Sequence, residues 1–534
     1  MFITIVLIPP LRRLAIRAHA LDVPEPRKIH PTPMPKCGGL AMAVGVLVPT
    51  LIWAPLDAFT KAFLVGGGIV VIFGLMDDFK SLTYKPKFVG QIAAALIVIL
   101  YGGVKIKSFG MLLPYGYVIP DWAAVPWTLL VIVGVTNAIN LSDGLDGLAG
   151  GICIMSFCCI AYLAYQAGNM VVATLSIAMI GTIIGFLRFN TYPANLFMGD
   201  AGSQLLGFSA ITLSVYLTQT NAPLSPVLPL VILGFPILDT VTVMSERISK
   251  GRSPFKADKN HLHHKLLRLN LFHTEAVVVI YFLQAILVTS AFVLRYHSDW
   301  LLMISYVAFS GIVVGAFLVV EKTGWQMGRS FIQGTIKDRL RPLKDNRVFV
   351  KTFFTGLQWV YPIILLYSAF LPEDLPGAFG IVGFVAAGLI LGAGLAKREW
   401  LPVVIRIAIF GCIPFLVYYA EVKKIPEING PLTLAYRAAY GLLALLSILT
   451  LKFSTRKSGF RTSPADFLIL FIALVVPNLP DAHIQSLHMG LVAAKTIVLL
   501  FAGEVIMGEV RGRLNRMAVL IVLVLAIIGT RGIW

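Results

Sequence analysis

Charge is what this sequence lacks most. Asp, Glu, Lys and Arg together make up 13% of its 534 residues, and only 26 of those residues are acidic. A water-soluble chain of this length needs far more polar surface, so that class is excluded. Alternating strand patterns are scarce, and the apolar runs are too long to be barrel strands. There is no Walker-type glycine loop, which removes the case for an ATPase. The five cysteines, Cys37, Cys153, Cys158, Cys159 and Cys412, show no C-x-x-C spacing. They read as buried small hydrophobes rather than as metal ligands or disulfides. The chain also opens without the basic leader and small-residue cleavage site of a signal peptide. Its apolar Met1–Ile8 is too short to span a membrane and runs straight into Pro9 and Pro10. That stretch reads either as the remainder of a first span or as a short partial insertion.

What is present is apolar. Hydrophobic residues account for 57% of the chain, and the mean hydropathy is +0.84. Runs of bilayer-crossing length number about seventeen, which predicts an all-α polytopic membrane protein with about 17 transmembrane helices. They fall near Gly38–Leu56, Ala62–Met76, Phe88–Gly103, Ala123–Ile139, Leu148–Tyr165, Met170–Phe186, Leu205–Leu217 and Val227–Met244. Others follow near Ala276–Leu294, Leu301–Val320, Thr352–Leu371, Ala378–Ala396 and Leu401–Ala420. The last four lie near Leu432–Leu451, Phe467–Pro477, Leu487–Met507 and Met517–Ile528. The net charge of +18 does not point to nucleic acid. With the segments before Gly38 and after Met76 placed in the cytoplasm, roughly 34 of the 44 Lys and Arg fall on that side.

Ionisable side chains at membrane depth are expensive, so they are where function is sought first. Four loops collect them, and the alternating topology puts all four on one side. Gly74–Gln91 carries the adjacent carboxylates Asp77 and Asp78, then Lys80, Lys85 and Lys87, with Gln91 one turn beyond Lys87. Such a pair is either a solvated helix end or a place for a divalent metal or a base. Asn137–Gly151 spaces Asn140, Asp143 and Asp146 three residues apart, which shares one face if helical, and a glycine follows each aspartate. Phe186–Gly207 sets Asp200 among Gly199, Ala201 and Gly202, leaving room for a metal-bound phosphate, or else forming a plain turn. Ser245–Asn270 carries Arg247, Lys250, Arg252, Lys256, Lys259, Lys265 and Arg268 beside His261, His263 and His264. That loop suits anionic headgroups or a bound polyanion better than zinc, because its neighbours are cationic and no cysteine accompanies it.

Taken together, hard oxygen donors opposite a cationic loop suit Mg²⁺ or Mn²⁺ and phosphoryl transfer. A membrane-embedded phosphoryl transferase with a lipid acceptor is what the residues alone reach.

These four loops, with the Pro26–Gly39 stretch PRKIHPTPMPKCGG, resemble the polyprenyl-phosphate N-acetylhexosamine-1-phosphate transferase family, glycosyltransferase family 4. The blocks occur in order as far as about Asn270. The resemblance implies Mg²⁺-dependent transfer of a sugar-1-phosphate from a UDP-sugar to a polyprenyl phosphate. It implies Asp200 as metal ligand with Asn140 assisting, Asp77 as base or positioner of the lipid phosphate, and Asp78 supporting it. Asp143 and Asp146 resemble the nucleotide-site carboxylates, Asn190 and Phe197 the uracil contacts, and Lys87 the phosphate-binding lysine. His261, His263 and His264 would line the pyrophosphate.

R-S-P-F-x-A-D-x-x-H-x-H-H is more similar to the N-acetylglucosamine branch than to the MurNAc-pentapeptide branch, which carries three consecutive histidines. Arg252 is then the sugar contact, and UDP-MurNAc-pentapeptide or another UDP-sugar is the alternative donor. The implied setting is a bacterial plasma membrane with the site facing the cytoplasm. Partners are the UDP-sugar, the polyprenyl phosphate and membrane lipids, with no nucleic acid, and a homodimer is the assembly to look for.

The family core is expected over residues 1–320, followed by a basic connector at 321–351 and a multi-span extension at 352–534. The extension repeats neither acidic block, and its Arg406, Lys495, Glu504 and Glu509 read either as a pathway or as helix–helix pairing. A transporter of lipid-linked sugars is the rival reading. Carboxylates at the span ends rather than at mid-span argue against it.

Overall fold

In the computed structural model, the described residues are all except 24–32, 81, 115, 221–222, 254–259, 324–346, 373–374, 397–399, 422–430, 454–488, 511–513 and 534. The expected span at Phe467–Pro477, most of the 321–351 connector, and Lys256 and Lys259 lie outside them. The chain falls into two compact units, Met1–Gly328 with Ser463–Leu468, and Arg329–Thr462 with Ile469–Trp534.

The first unit is a helical bundle. Its helices are α1 (Phe2–Arg17), α2 (Gly38–Trp53), α3 (Ala58–Lys80), α4 (Tyr84–Leu100), α5 (Asp121–Leu141), α6 (Leu148–Gln166) and α7 (Met170–Asn190). They are followed by α8 (Gly199–Thr220), α9 (Leu228–Ile232), α10 (Gly234–Ser249), α11 (Leu262–Arg268), α12 (His273–Val293) and α13 (Asp299–Thr323). Two-residue strands, β1 (Leu21–Asp22) and β2 (Met34–Pro35), pair antiparallel. Of the nine helices among the described residues that are long and apolar enough to cross a bilayer, six belong to this unit, as does one of three shorter apolar helices. Ile72, Leu130, Ile177, Phe282, Ile304 and Ile312 stand exposed on these helices, as lipid-facing side chains do in a bundle whose solvent is hydrocarbon.

Two elements differ from the sequence reading. Met1–Ile8 does not stop at the prolines, because α1 runs through Pro9 and Pro10 to Arg17. Buried Thr4, Ile8 and Ala15 hold it in place, and the Thr4 hydroxyl lies 2.8 Å from that of Thr182 on α7. Packing outweighs the two hydrogen bonds that the prolines remove. The run Val227–Met244 is not one helix but two, broken at Leu233. Side chains from neighbouring helices donate to the exposed backbone carbonyls there. Gln284 donates to the Ile232 carbonyl at 2.7 Å, and the Tyr306 hydroxyl donates to the Gly234 carbonyl at 3.0 Å. Such partners are what make a broken helix tolerable in a membrane.

Glycine at one position brings the acidic loops together. A Cβ on Gly74 would lie 2.4 Å from the Ala201 Cα, so only glycine lets the end of α3 touch the start of α8. That contact carries Asp77 and Asp78 to Asp200. At the other end of the bundle, Asp299 accepts from the Met111 amide at 2.6 Å and from the Ser225 hydroxyl. This ties the start of α13 to the loops after α4 and α8, far along those helices from the acidic loops.

The second unit comprises α14 (Arg347–Phe370), α15 (Gly377–Ala396), α16 (Leu401–Tyr419), α17 (Pro431–Phe453), α18 (Met489–Val510) and α19 (Asn515–Ile533). Its core centres on Leu357, Tyr361, Ile409, Leu443, Leu499 and Ile528. Three of the four ionisable residues picked out in its spans, Arg406, Glu504 and Lys495, are paired. Arg406 Nε donates to Glu504 Oε1 at 2.9 Å. Lys495, which bonds to Glu421, lies 4.2 Å from the Tyr436 ring centroid.

Candidate active site

The site starts at the end of α3. Asp77 turns back on its own chain, where Oδ1 accepts from the Leu82 amide at 2.6 Å, and its Oδ2 lies 2.7 Å from Lys87 Nζ. Lys87, in the first turn of α4, reaches Asp200 Oδ2 with the same ammonium at 2.6 Å. The expected lysine and two of the expected carboxylates therefore meet at one point.

Asp78 points the other way. Its Oδ1 accepts from the Asp200 amide at 3.0 Å, and its Oδ2 accepts from the Ala201 amide at 3.3 Å. Helix N-termini leave these donors without partners, and a carboxylate satisfies both their hydrogen bonds and the helix dipole. Gly199, at φ +69°, has no room for a Cβ beside that carboxylate. Lys36, just after β2, lies 3.7 Å from Asp78 and 3.5 Å from Asp22. The Lys36 strand bridges Phe197, which places the half-buried Phe197 ring at this edge.

The loop between α5 and α6 supplies the second wall. Asn140 Oδ1 lies 2.8 Å from the Ser203 hydroxyl of α8. Asp143 keeps an open face, and its carboxylate takes no hydrogen bond among the described residues. Protein crowds it on the other sides, and burial pushes its carboxyl up to about 7, with Asp200, Asp146 and Asp78 adding repulsion. Asp146 faces away, with Oδ2 accepting from the Ala194 amide at 2.9 Å. Asn190 is 2% exposed, and both ends of its amide are taken. Oδ1 accepts from the Gly147 amide and Nδ2 donates to the Leu196 carbonyl, each at 2.9 Å. The geometry thus makes Asn190 a strut between two site loops.

The histidine loop forms the third wall. His261 and His263 stack with centroids 5.8 Å apart and planes 10° apart, and His264 follows at 4.2 Å. His263 Nε2 abuts Gly144, where a Cβ would come within 2.3 Å, so the histidine row ends against the Asp143 turn. Burial pulls the His263 imidazole down to about 3, with the neighbouring His264 adding to it. His263 is therefore neutral at pH 7. Arg252 is exposed beyond the end of α10.

Three participants escaped the sequence reading. Gln204 sits one turn after Asp200, with Nε2 3.4 Å from Asp200 Oδ2, and takes a bond from Gln91 at 3.2 Å. Lys36 lies in the quoted Pro26–Gly39 stretch but carried no role. Asp239, buried on α10, bonds to His261. A lone carboxylate inside the apolar run Val227–Met244 was the signal for it.

Among the described residues, no three His, Cys, Asp or Glu side chains meet as a metal cage. A hard divalent ion that shares its ligands with substrate phosphates needs only one or two carboxylates. Asp77 and Asp200, which already converge on one cation, fit that kind of ion.

The glycosyl transferase family 4 profile matches residues 61–218, within the first unit. The chain is 38% identical over 328 residues to a Bacillus subtilis (strain 168) protein named probable undecaprenyl-phosphate N-acetylglucosaminyl 1-phosphate transferase. That match covers 60% of this chain and 90% of the relative. It is 32% identical to the Yersinia pestis undecaprenyl-phosphate alpha-N-acetylglucosaminyl 1-phosphate transferase, over 63% of this chain and 93% of that one. It is also 35% identical to the Mycolicibacterium smegmatis decaprenyl-phosphate N-acetylglucosaminephosphotransferase, over 51% and 74%.

Proposed function

The chain belongs to glycosyl transferase family 4, and on that premise we propose that it transfers N-acetylglucosamine-1-phosphate from UDP-N-acetylglucosamine to a polyprenyl phosphate, releasing UMP. The observation that carries this reading is the meeting of Asp77 and Asp200 on Lys87, with the Asp143 carboxylate close enough to feel the charge of Asp200. The names of the relatives above support the sugar and the lipid acceptor. The excess of Lys and Arg on one side of the predicted topology supports a cytoplasmic site.

In the reaction, an oxygen of the lipid phosphate attacks the sugar-bound phosphorus of the donor. The bond from that phosphorus to the oxygen bridging to the uridine phosphate breaks, and UMP leaves with the bridging oxygen. A Mg²⁺ or Mn²⁺ ion held by Asp200 and Asp77 would neutralise charge on the pyrophosphate oxygens. Lys87 sits where it can pair with the same phosphates, and Asp77 orients the lipid phosphate or receives its remaining proton. The basic residues around the histidine row present donors to the leaving UMP. Asp78 acts by position, since its carboxylate fixes the helix that carries Asp200.

The experiment is UMP release by the detergent-purified chain given Mg²⁺, undecaprenyl phosphate and either UDP-N-acetylglucosamine or UDP-MurNAc-pentapeptide. Release that needs both metal and lipid and favours the first donor is expected. Asp200→Ala should remove it, a loss of about 10²–10³-fold or more. Release that is indifferent to Asp200→Ala would remove Asp200 from the site, and preference for the second donor would reassign the sugar.

A further inference from the structure

The histidine row has a fixed anchor on a different helix. Asp239 lies in the middle of α10, is 2% exposed, and belongs to none of the acidic blocks that define the site. A bare carboxylate at that depth is costly unless each oxygen has a partner. Both do. Oδ2 lies 2.9 Å from His261 Nδ1, and Oδ1 accepts from the Leu262 amide at 2.7 Å. One carboxylate therefore grips the ring and the adjoining backbone of the same segment, a two-point hold that leaves the imidazole no freedom to turn.

The tautomer follows from the partner. A carboxylate accepts and cannot donate, so the proton of the contact sits on His261 Nδ1. Nε2 is left as the free ring nitrogen, and it takes no protein partner among the described residues. Any ligand that meets His261 meets that nitrogen. The orientation passes along the row, because the near-parallel His261 and His263 rings stack and His263 ends against Gly144 beside Asp143. Carboxylate–imidazole pairs of this kind set ring direction and basicity wherever histidine works as a ligand or an acid–base group.

We propose that Asp239 is a positioning residue for the donor pyrophosphate: through His261 it fixes the ring orientation and holds the histidine row against the Asp143 turn. This rests on the reading of the site as one for a UDP-sugar. It assigns a role to a residue that touches no substrate and that the sequence placed in an ordinary span.

The test uses the full chain in detergent, with UMP release measured against UDP-N-acetylglucosamine and undecaprenyl phosphate separately. Asp239→Asn keeps the shape and one acceptor, but it offers an N–H where His261 needs an acceptor. It should lower kcat/KM for the UDP-sugar at least tenfold, leave the KM for the lipid within twofold, and leave the melting temperature within a few degrees. His261→Gln should show the same pattern, and the double variant should be no worse than the more impaired single one, because both act through one ring. Asp239→Glu, which restores the carboxylate, should recover part of the loss and guards against an effect of the asparagine alone.

Wild-type kinetics in Asp239→Asn would overturn the proposal. So would losses that multiply in the double variant, or a fall in both substrates' parameters together with the melting temperature. A wild-type chain that releases no UMP would sink the reading of the site, and this proposal with it.

Discussion

Asp78 closes over the first turn of the helix that carries Asp200, its Oδ1 3.0 Å from the Asp200 amide nitrogen. Adjacent carboxylates in the sequence thus do different jobs. Asp77 joins the cation cluster, and its neighbour, turned by about 100° on the helix, caps another helix. Asp78→Ala removes an acceptor from two amides, and stability should fall by about 1–2 kcal/mol. Turnover should fall with it, since Asp200 moves with its helix. Asp78→Asn, which keeps one acceptor, should lose less of both. Thermal melts and UMP release on the three proteins check this, and equal losses for Ala and Asn would refute capping.

Asp143 gives a pH signature. Its carboxyl, pushed up to about 7 by burial, holds a proton in the folded ligand-free protein over a range where the unfolded chain has lost it. The folded state binds more protons there, so this group's contribution to stability is full below about pH 4 and is lost as pH rises through 7. In metal-free buffer, Asp143→Asn should therefore melt close to wild type at pH 4 and above it at pH 8. A difference that does not change with pH would remove Asp143 as its source.

Asn190 makes a stability prediction rather than a binding one. Asn190→Ala leaves the Gly147 amide and the Leu196 carbonyl without partners, both in the buried interior of the site. The loss should be about 2 kcal/mol or more. The melting temperature should drop even without ligand. A variant with unchanged stability and only a raised KM for the UDP-sugar would make Asn190 a base contact and not a strut.

The two compact units make separable folding a direct expectation. A chain ending after Gly328 keeps every residue of the site and the whole match to the family profile. It should fold and release UMP at a rate within a few-fold of the full chain. A well-folded but inactive truncation would show that the second unit completes the catalytic machinery.

The membrane fold was legible because hydrocarbon imposes one rule on every residue of a span, and seventeen apolar runs repeat it along the chain. The chemistry was legible for a related reason. A chain with only 26 acidic residues does not spend them idly at span ends, so Asp77, Asp143 and Asp200 stood out. What one-dimensional reading missed depends on which partner lies across space. The break at Leu233 rests on Gln284 and Tyr306 from other helices. The continuity of α1 through two prolines rests on packing against α7.

The sequence by itself determined the class of solvent, the helical fold and the type of reaction, because each follows from composition and from local residue types. Only the tertiary structure separated Asp77, which meets Lys87, from Asp78, which caps α8. It alone turned Asn190 into a strut and joined Asp239 to His261 across 22 residues of chain. The physical reason is the range of the interactions. Transfer free energy acts on each side chain where it stands, whereas a hydrogen bond acts only between groups about 3 Å apart, and folding alone decides which groups those are.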